Sequence, residues 1–304
     1  MYTPSYISLH KSGKLEVLAN NLWQHMEKCD LCPRNCGANR LFGEKGTCGA
    51  DASLRIASFG PHFGEERELV GKGGSGTIFL SYCSLQCVFC INSDISHGGV
   101  GQNKTVQDFA DMMLQLQDKG CSNINIVTPT HYLPHMLQAL DIAAEKGLRL
   151  PLVYNTAGWE KLNIVKKLNQ VVDIYLTDFK YYSKEKAMRY SPGAASYPEI
   201  TKKAIIEFHE QVGNAVAEAD GIIRKGLMIR HLIMPNNLDE TENILQWIGQ
   251  NLPKDTYVNV MTQYRPVYKA FKYPEISRRI TIAEYKRAEE AAKRAGLTNY
   301  KIQG

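Results

Sequence analysis

Seven of the eight cysteines fall in two tight groups, and those groups are where this chain can do chemistry. Cys83, Cys87 and Cys90 have the spacing C-x3-C-x2-C, and Cys29, Cys32, Cys36 and Cys48 have the spacing C-x2-C-x3-C-x11-C. In a reducing compartment such groups read as metal ligands rather than disulfide partners. Three neighbouring thiolates hold three corners of an iron–sulfur cubane and leave the fourth iron without a protein ligand. An open coordination position marks a catalytic metal site, and a small chelating molecule can take it. Four thiolates instead close a site. Zinc and a second iron–sulfur cluster both remain open for that group. Pro33, Gly37, Gly43, Gly46 and Gly49 supply the tight turns either would need. The remaining Cys121 reads as a buried small apolar residue.

The three-cysteine loop follows directly on an apolar run, 77–81, that reads as a buried parallel strand. Similar runs recur at 123–127, 150–155, 171–179, 227–234 and 257–261. Amphipathic stretches at 106–119, 133–146, 160–168, 204–218 and 239–251 separate them, and Gly120 and Gly147 stop the first two. These β-then-α steps have about the length of a βαβ unit, ~30 residues. They predict an α/β fold: a partial (β/α)6 barrel resembling an open TIM barrel, with function on loops after the strands' C-terminal ends. The expected division is an N-terminal Cys-rich metal-binding cap over 1–56, the partial barrel over 57–262, and a C-terminal extension with a helix over 263–304. That helix carries its own signals: Thr281 and Glu284 at capping-box spacing, the pairs Glu289/Lys293 and Glu290/Arg294, and Gly296 as stop.

With 304 residues, 44% hydrophobic and 22% charged, the chain is neither disordered nor collagen-like. Its net charge of +5 is dispersed, so no nucleic-acid partner is expected. No apolar run reaches the ~18 residues of a membrane span, and the N-terminus lacks a signal-peptide pattern, so a cytoplasmic location is expected. The segment 71–76 is glycine-rich but lacks phosphate-loop order and reads as a turn. His62, Glu65 and Glu66 form a polar group ahead of it that reads as a solvated face, with a reach toward a substrate as the alternative. Tyr264 and Arg265 follow the last strand on the side of the chemistry, where Arg suits a substrate carboxylate or phosphate. Tyr181 and Tyr182 either line the cleft or pack.

The motif in its strand context resembles the radical S-adenosylmethionine superfamily. Most of the chain, about 25–304, further resembles an uncharacterised iron–sulfur family related to pyruvate formate-lyase activating enzyme. The marks are the segments 31–36 (LCPRNC), 74–79 (GSGTIF), 154–159 (YNTAGW), 173–180 (DIYLTDFK), 230–235 (RHLIMP) and 261–266 (MTQYRP). The resemblance implies a [4Fe–4S] cluster on Cys83, Cys87 and Cys90 whose open iron is chelated by the amino and carboxylate groups of S-adenosylmethionine. It implies cleavage of the sulfonium C–S bond by one electron, and a 5′-deoxyadenosyl radical that abstracts hydrogen. It places Phe89 near the adenine and the ends of the strands toward the cofactor: Asn155, Thr156, Asp178, Lys180 and His231. Lys180 would pair with the cofactor carboxylate, and Asp178 with the ribose or a monovalent cation. The superfamily's Gly-Gly-Glu segment is replaced here by 127–131 (VTPTH). The carbonyls of Thr128 and Pro129, helped by Thr130, would take the ammonium. His131 would be a local substitute, a substrate contact or a helix-entry residue. Asn155 stands where an activating enzyme has Asp, which puts a cation site in question. The partner implied is an electron donor such as flavodoxin or ferredoxin. The substrate stays open between a small molecule and a peptide or protein, and the open side of a partial barrel favours a macromolecule. A glycyl-radical activase is the alternative within this class. A non-catalytic iron–sulfur or zinc module is the alternative outside it.

Overall fold

The computed structural model describes residues 2–303. In chain order the helices are α1 (Tyr6–Lys11), α2 (Lys14–Gln24), α3 (Arg67–Val70), α4 (Ser93–Ser96), α5 (Val106–Asp118), α6 (Leu133–Glu145), α7 (Leu162–Lys167), α8 (Lys184–Tyr190), α9 (Tyr197–Val212), α10 (Leu238–Asn251) and α11 (Ile282–Arg294). The strands are β1 (Arg55–His62), β2 (Ser75–Leu80), β3 (Gln102–Asn103), β4 (Ile124–Val127), β5 (Leu152–Thr156), β6 (Ile174–Asp178), β7 (Gly226–Leu232), β8 (Tyr257–Met261) and β9 (Tyr300–Gln303). They form one sheet in the order β3-β1-β2-β4-β5-β6-β7-β8-β9. From β2 to β9 every pairing is parallel, while β1 and β3 are antiparallel additions at one edge.

The six expected strands are all present, and the architecture is α/β with a parallel sheet. Three differences stand out. The last helix, α11, is followed by β9, which adds a seventh parallel strand where the sequence suggested only a helical extension. The expected helix 204–218 is in fact α9, starting at Tyr197 with Pro198 in its first turn and stopping before Gly213 at φ +73. The proline start and glycine stop override the longer amphipathic pattern. Third, the N-terminal segment begins with two helices that its pattern did not announce: α1 and α2 bury Tyr6, Leu15, Ala19 and Leu22 in the main core, with α2 against α6.

Strand alternation sorts the side chains into two environments. On β5, Tyr154 belongs to the large apolar core beneath the helices, whereas Val153 joins a smaller core with Leu69 of α3, Ile174, Leu176, Met228 and Tyr257. Above that small core lies a polar layer. Glu65 accepts from Asn125 of β4, and its neighbour Glu66 accepts from Asn259 of β8. On a flat sheet those two strands would lie roughly 19 Å apart. Two consecutive residues reach both, so the sheet curls around them.

The turn after β5 needs a glycine. Gly158 has φ +84, and a Cβ there would lie 2.3 Å from the Asp178 carbonyl oxygen and 2.9 Å from Thr201. Tyr197 closes the same corner, donating to the Ala157 carbonyl at 2.8 Å and accepting from the Lys180 N–H at 2.8 Å. Gly158→Ala is expected to cost at least about 2 kcal/mol of stability by combining a positive φ with a backbone clash. Chemical denaturation measures this, and an unchanged midpoint would contradict the packing described.

Candidate functional site

The three-cysteine loop leaves the C-terminal end of β2 in a constrained conformation. Tyr82 and Gln86 have positive φ (73 and 53), as does Thr128 at the end of neighbouring β4 (58). Positive φ in non-glycine residues is uncommon and is retained where surroundings enforce it. Hydroxyl donors are aimed at two of the sulfurs. Ser96 Oγ lies 3.1 Å from Cys90 Sγ, and Ser191 Oγ lies 3.3 Å from Cys87 Sγ, itself bonded to the Tyr181 hydroxyl at 2.9 Å. Burial pushes the Cys83 thiol up to about 12, and the neighbouring Cys87 and Cys90 add to it. For Cys87 burial also dominates and raises the value, against the opposing positive charge of Lys180. Three neighbouring thiols, Cys87 buried and Cys83 and Cys90 partly so, would need a cationic centre to ionise together, and the donor set suits a [4Fe–4S] cluster.

Lys180 donates to Asp178 Oδ2 at 2.7 Å. The other carboxylate oxygen, Oδ1, accepts from Arg230 Nε at 3.0 Å, and Arg230 Nη2 donates to Asn155 Oδ1 at 2.7 Å. Arg230 Nη1 sits 3.5 Å from Glu65 and 3.9 Å from Glu66. Burial raises the Asp178 pKa, but the charges of Lys180 and Arg230 outweigh it and the net shift is down. For Lys180 burial lowers the value, and Asp178 with the Cys87 thiolate reverses it to a net rise. A buried ionic cluster thus occupies the inner face of the sheet, directly below the cysteine loop.

The cap cysteines sit over the ends of β4 and β5. Arg40 is fully buried. Its Nη1 donates to the His131 carbonyl at 2.7 Å and lies 3.8 Å from Cys29 Sγ, while Nη2 donates to the Asp51 carbonyl. Lys161 donates to Asp30 and Asn35. Gly46 leaves room for two sulfurs: a Cβ there would lie 3.3 Å from Cys36 Sγ and 3.4 Å from Cys48 Sγ. Burial pushes Cys32 up to about 12 and also raises Cys29 and Cys48, whereas backbone hydrogen bonds bring Cys36 down despite its burial. The two cysteine loops interlock. Arg34 donates to the Ser84 and Leu85 carbonyls, and the Gln86 amide donates to those of Thr47 and Cys48. Among the described residues no three His, Cys, Asp or Glu side chains form a group that could hold a single metal ion.

Several sequence expectations change. Glu65 and Glu66 are inside the curl of the sheet, not on a solvated face, with Glu66 only 4% exposed. His231 points away from the cleft. Its ring nitrogens are held by the Phe179 carbonyl (2.7 Å) and Thr241 of α10 (2.8 Å), because alternation along β7 gives the inner position to Arg230. His131 is buried, and its Nε2 is bonded to the Ser81 carbonyl at 2.7 Å. Burial holds both histidines neutral, His231 near about 4 and His131 near about 3. Tyr264 is buried, donates to the Ile276 carbonyl at 2.6 Å and packs on Phe89 beside Tyr181 and Tyr190. Arg265 stays exposed. Asn155 and Asp178 are engaged with Arg230 instead of facing an open cleft. The Pro129 carbonyl accepts from Tyr132.

Thr130 and Thr156 converge on a residue that sequence reasoning passed over. Both hydroxyls donate to Glu160 Oε1, at 2.6 and 2.5 Å, and Oε2 has no partner among the described residues. Arg230 was overlooked too, although counting parity along β7 from Met228 would have found it.

The radical SAM superfamily matches residues 77–248, more than half of the chain, so the protein belongs to that superfamily. An uncharacterized protein of Methanocaldococcus jannaschii is 35% identical over 93% of this chain and 78% of its own length. The pyruvate formate-lyase-activating enzyme of Listeria monocytogenes is 23% identical over 67% of this chain and 83% of its own. Among solved structures, Streptococcus suis SuiB bound to S-adenosylmethionine aligns with 75% of this chain at TM-score 0.48 and 18% identity, and this chain spans 46% of that protein.

Two predictions follow from the buried charges. Arg230→Met leaves Glu65, Glu66 and Asp178 facing Lys180 alone, and is expected to cost about 3–5 kcal/mol, with Arg230→Lys costing less. Equal denaturation midpoints for wild type and Arg230→Met would contradict the clamp. Burial pushes Glu160 up to about 7 from its ordinary 4.5. Between those values the folded state holds a proton that the unfolded chain releases, so this group's contribution to stability falls as pH rises through the window. Glu160→Gln keeps an acceptor for both threonines and never ionises. It should match wild type near pH ~5 and exceed it near pH ~8 by up to about 3 kcal/mol. A difference independent of pH would contradict this account of Glu160.

Proposed function

We propose that this chain is a radical S-adenosylmethionine enzyme that abstracts hydrogen from a protein or peptide substrate. The observation that carries the reading is the loop Cys83–Cys90 at the end of the first parallel strand. There the Ser96 and Ser191 hydroxyls and the Lys180 charge surround the thiols. Cys83, Cys87 and Cys90 would hold the [4Fe–4S] cluster. When bound, cluster and S-adenosylmethionine supply one electron and a sulfonium whose C–S bond breaks to methionine and a 5′-deoxyadenosyl radical.

The residues have separable tasks in this reading. The Ser96 and Ser191 hydroxyls stabilise thiolate charge, which shifts the potential of such a centre upward. Lys180, held in place by Asp178, presents an ammonium to the cofactor carboxylate. Phe89, enclosed by Tyr181, Tyr190 and Tyr264, forms an apolar wall for the adenine. The cap cysteines Cys29, Cys32, Cys36 and Cys48 would hold a second metal centre, iron–sulfur or zinc, once drawn together around it, and that centre would pin the cap over the ends of β4 and β5. Sequence likeness to the activating enzymes supports a macromolecular substrate, and glycyl-radical activation is the second reading. The sheet keeps two open edges, at β3 and β9, and no described helix is long and apolar enough to cross a membrane.

Cys87→Ala is expected to abolish cluster assembly at the barrel and 5′-deoxyadenosine formation while leaving metal in the cap. Anaerobic reconstitution, metal and sulfide counts, and product chromatography measure this. Continued 5′-deoxyadenosine formation by Cys87→Ala would overturn the assignment, and loss of all metal would overturn the independence of the two centres.

A further inference from the structure

The three cysteines of the barrel loop are not equally enclosed. The Ser84–Gln86 side is covered by the cap through Arg34 and Gln86, and Cys87 lies buried behind Ser191 and Tyr181. Cys90 is different. Ile91, the next residue, is 64% exposed. Ser96 touches Cys90 Sγ and also His97 Nδ1 at 2.9 Å, and His97 is half-buried against the Tyr268 ring, centroids 4.7 Å apart. A chain of two hydrogen bonds therefore leads from a cluster thiol to the surface.

The segment after β8 builds the rest of that surface. The Lys269 N–H donates to the Val88 carbonyl at 3.0 Å, which fastens the segment to the cysteine loop. Phe271 is 65% exposed, and Tyr268 is exposed beside it. A shallow hollow of about 420 Å³ lies between Tyr268, His97, Ser93, Asp94 and Gly98. Lys269 and Lys272 are exposed and make no ion pair among the described residues, although Lys269 lies over the Tyr268 ring at 5.0 Å. Asp94 is the one acidic residue lining the hollow, and nearby Glu275 is paired with Arg189. The result is an apolar centre with a basic rim beside Cys90, a partly exposed cysteine of the loop. Small transient interfaces between electron-transfer proteins have this make-up, with charge steering the encounter.

We propose that the face formed by Ile91, His97, Tyr268 and Phe271, with Lys269 and Lys272 at its rim, is where an acidic one-electron carrier protein docks to reduce the cluster. The inference rests on the reading that Cys83, Cys87 and Cys90 hold that cluster. In the step the reduced carrier loses one electron and the cluster gains it, and no bond or proton is exchanged. The positive rim selects an acidic partner, and the exposed aromatics give it a desolvated contact next to Cys90.

The test uses the anaerobically reconstituted holoprotein, with an acidic flavodoxin and an acidic ferredoxin as probes. Iron content is checked first. A wild-type protein without a barrel cluster would fail the reading beneath this proposal and not the surface itself. Two readouts follow: equilibrium binding of the oxidised carriers, and the rate of cluster bleaching by the reduced ones. Wild type is expected to bind at least one carrier, more weakly as ionic strength rises toward about 0.15 M. The Lys269→Glu/Lys272→Glu variant should weaken binding and slow carrier-driven bleaching by about tenfold or more. Bleaching by photoreduced deazaflavin, a small uncharged reductant, should not change. The Lys269→Arg/Lys272→Arg variant should behave as wild type, and Phe271→Ala should weaken binding without altering its salt dependence. Binding of neither carrier to wild type, or charge reversal without effect on binding and bleaching, would overturn the proposal. So would an equal slowing with deazaflavin, which would show damage to the cluster instead of loss of a docking face.

Discussion

Three carboxylates, Glu65, Glu66 and Asp178, lie inside the curl of the sheet, where water cannot solvate them freely, and the guanidinium of Arg230 makes that arrangement tolerable. Arg suits the task because its planar fork reaches Asp178, Asn155 and the Glu65–Glu66 segment in different directions at once, which the point charge of Lys cannot do. The consequences run both ways along the axis of the curled sheet. Downward, Glu65 and Glu66 tie α3 into the base of the sheet next to the small apolar core of Leu69 and Tyr257. Upward, Asp178 holds Lys180 where its charge acts on Cys87. Replacing such a buried cluster with apolar side chains can be neutral for stability. Its value here lies in fixing one lysine below one cysteine loop.

A second constraint acts from above. The cap is not an appendage hung on the barrel, because its polar side chains complete backbone groups of the cysteine loop while that loop completes backbone groups of the cap. Arg40 extends the same logic to the end of β4, joining Cys29 to the His131 carbonyl. Movement of one cysteine group is therefore felt by the other. Glu160 and Lys161, consecutive residues after β5, divide the contact. Glu160 gathers Thr130 and Thr156 beneath the cap, and Lys161 anchors Asp30 and Asn35 within it.

The elements were legible where local chemistry decides them. Thr281 and Glu284 do form the capping box of α11, with both reciprocal bonds, and Glu289 pairs with Lys293 as the spacing implied. The buried strands announced themselves by apolar runs, and the cysteine loop by its position after the first of them. What did not show was any feature that depends on two distant segments meeting. The sequence pattern around Glu65 and Glu66 is that of a polar surface turn, and only the curl of the sheet makes it interior. His231 looked functional because it ends a strand and resembles a cofactor-contacting histidine. Strand parity sent it to α10 and gave the inner face to Arg230. Strand β9 is short and partly polar, so nothing local distinguishes it from a tail until it pairs with β8.

The central claim is that three protein thiolates leave one iron open for S-adenosylmethionine. It is tested most directly by the electron paramagnetic resonance spectrum of the reduced barrel cluster. Spectra are recorded with and without S-adenosylmethionine carrying an isotopically labelled amino nitrogen. The account predicts that the g-values shift on addition and that the labelled nitrogen couples to the cluster. A spectrum unchanged by S-adenosylmethionine, with no coupling, would mean that the open position does not exist, and the enzymatic reading would fall with it.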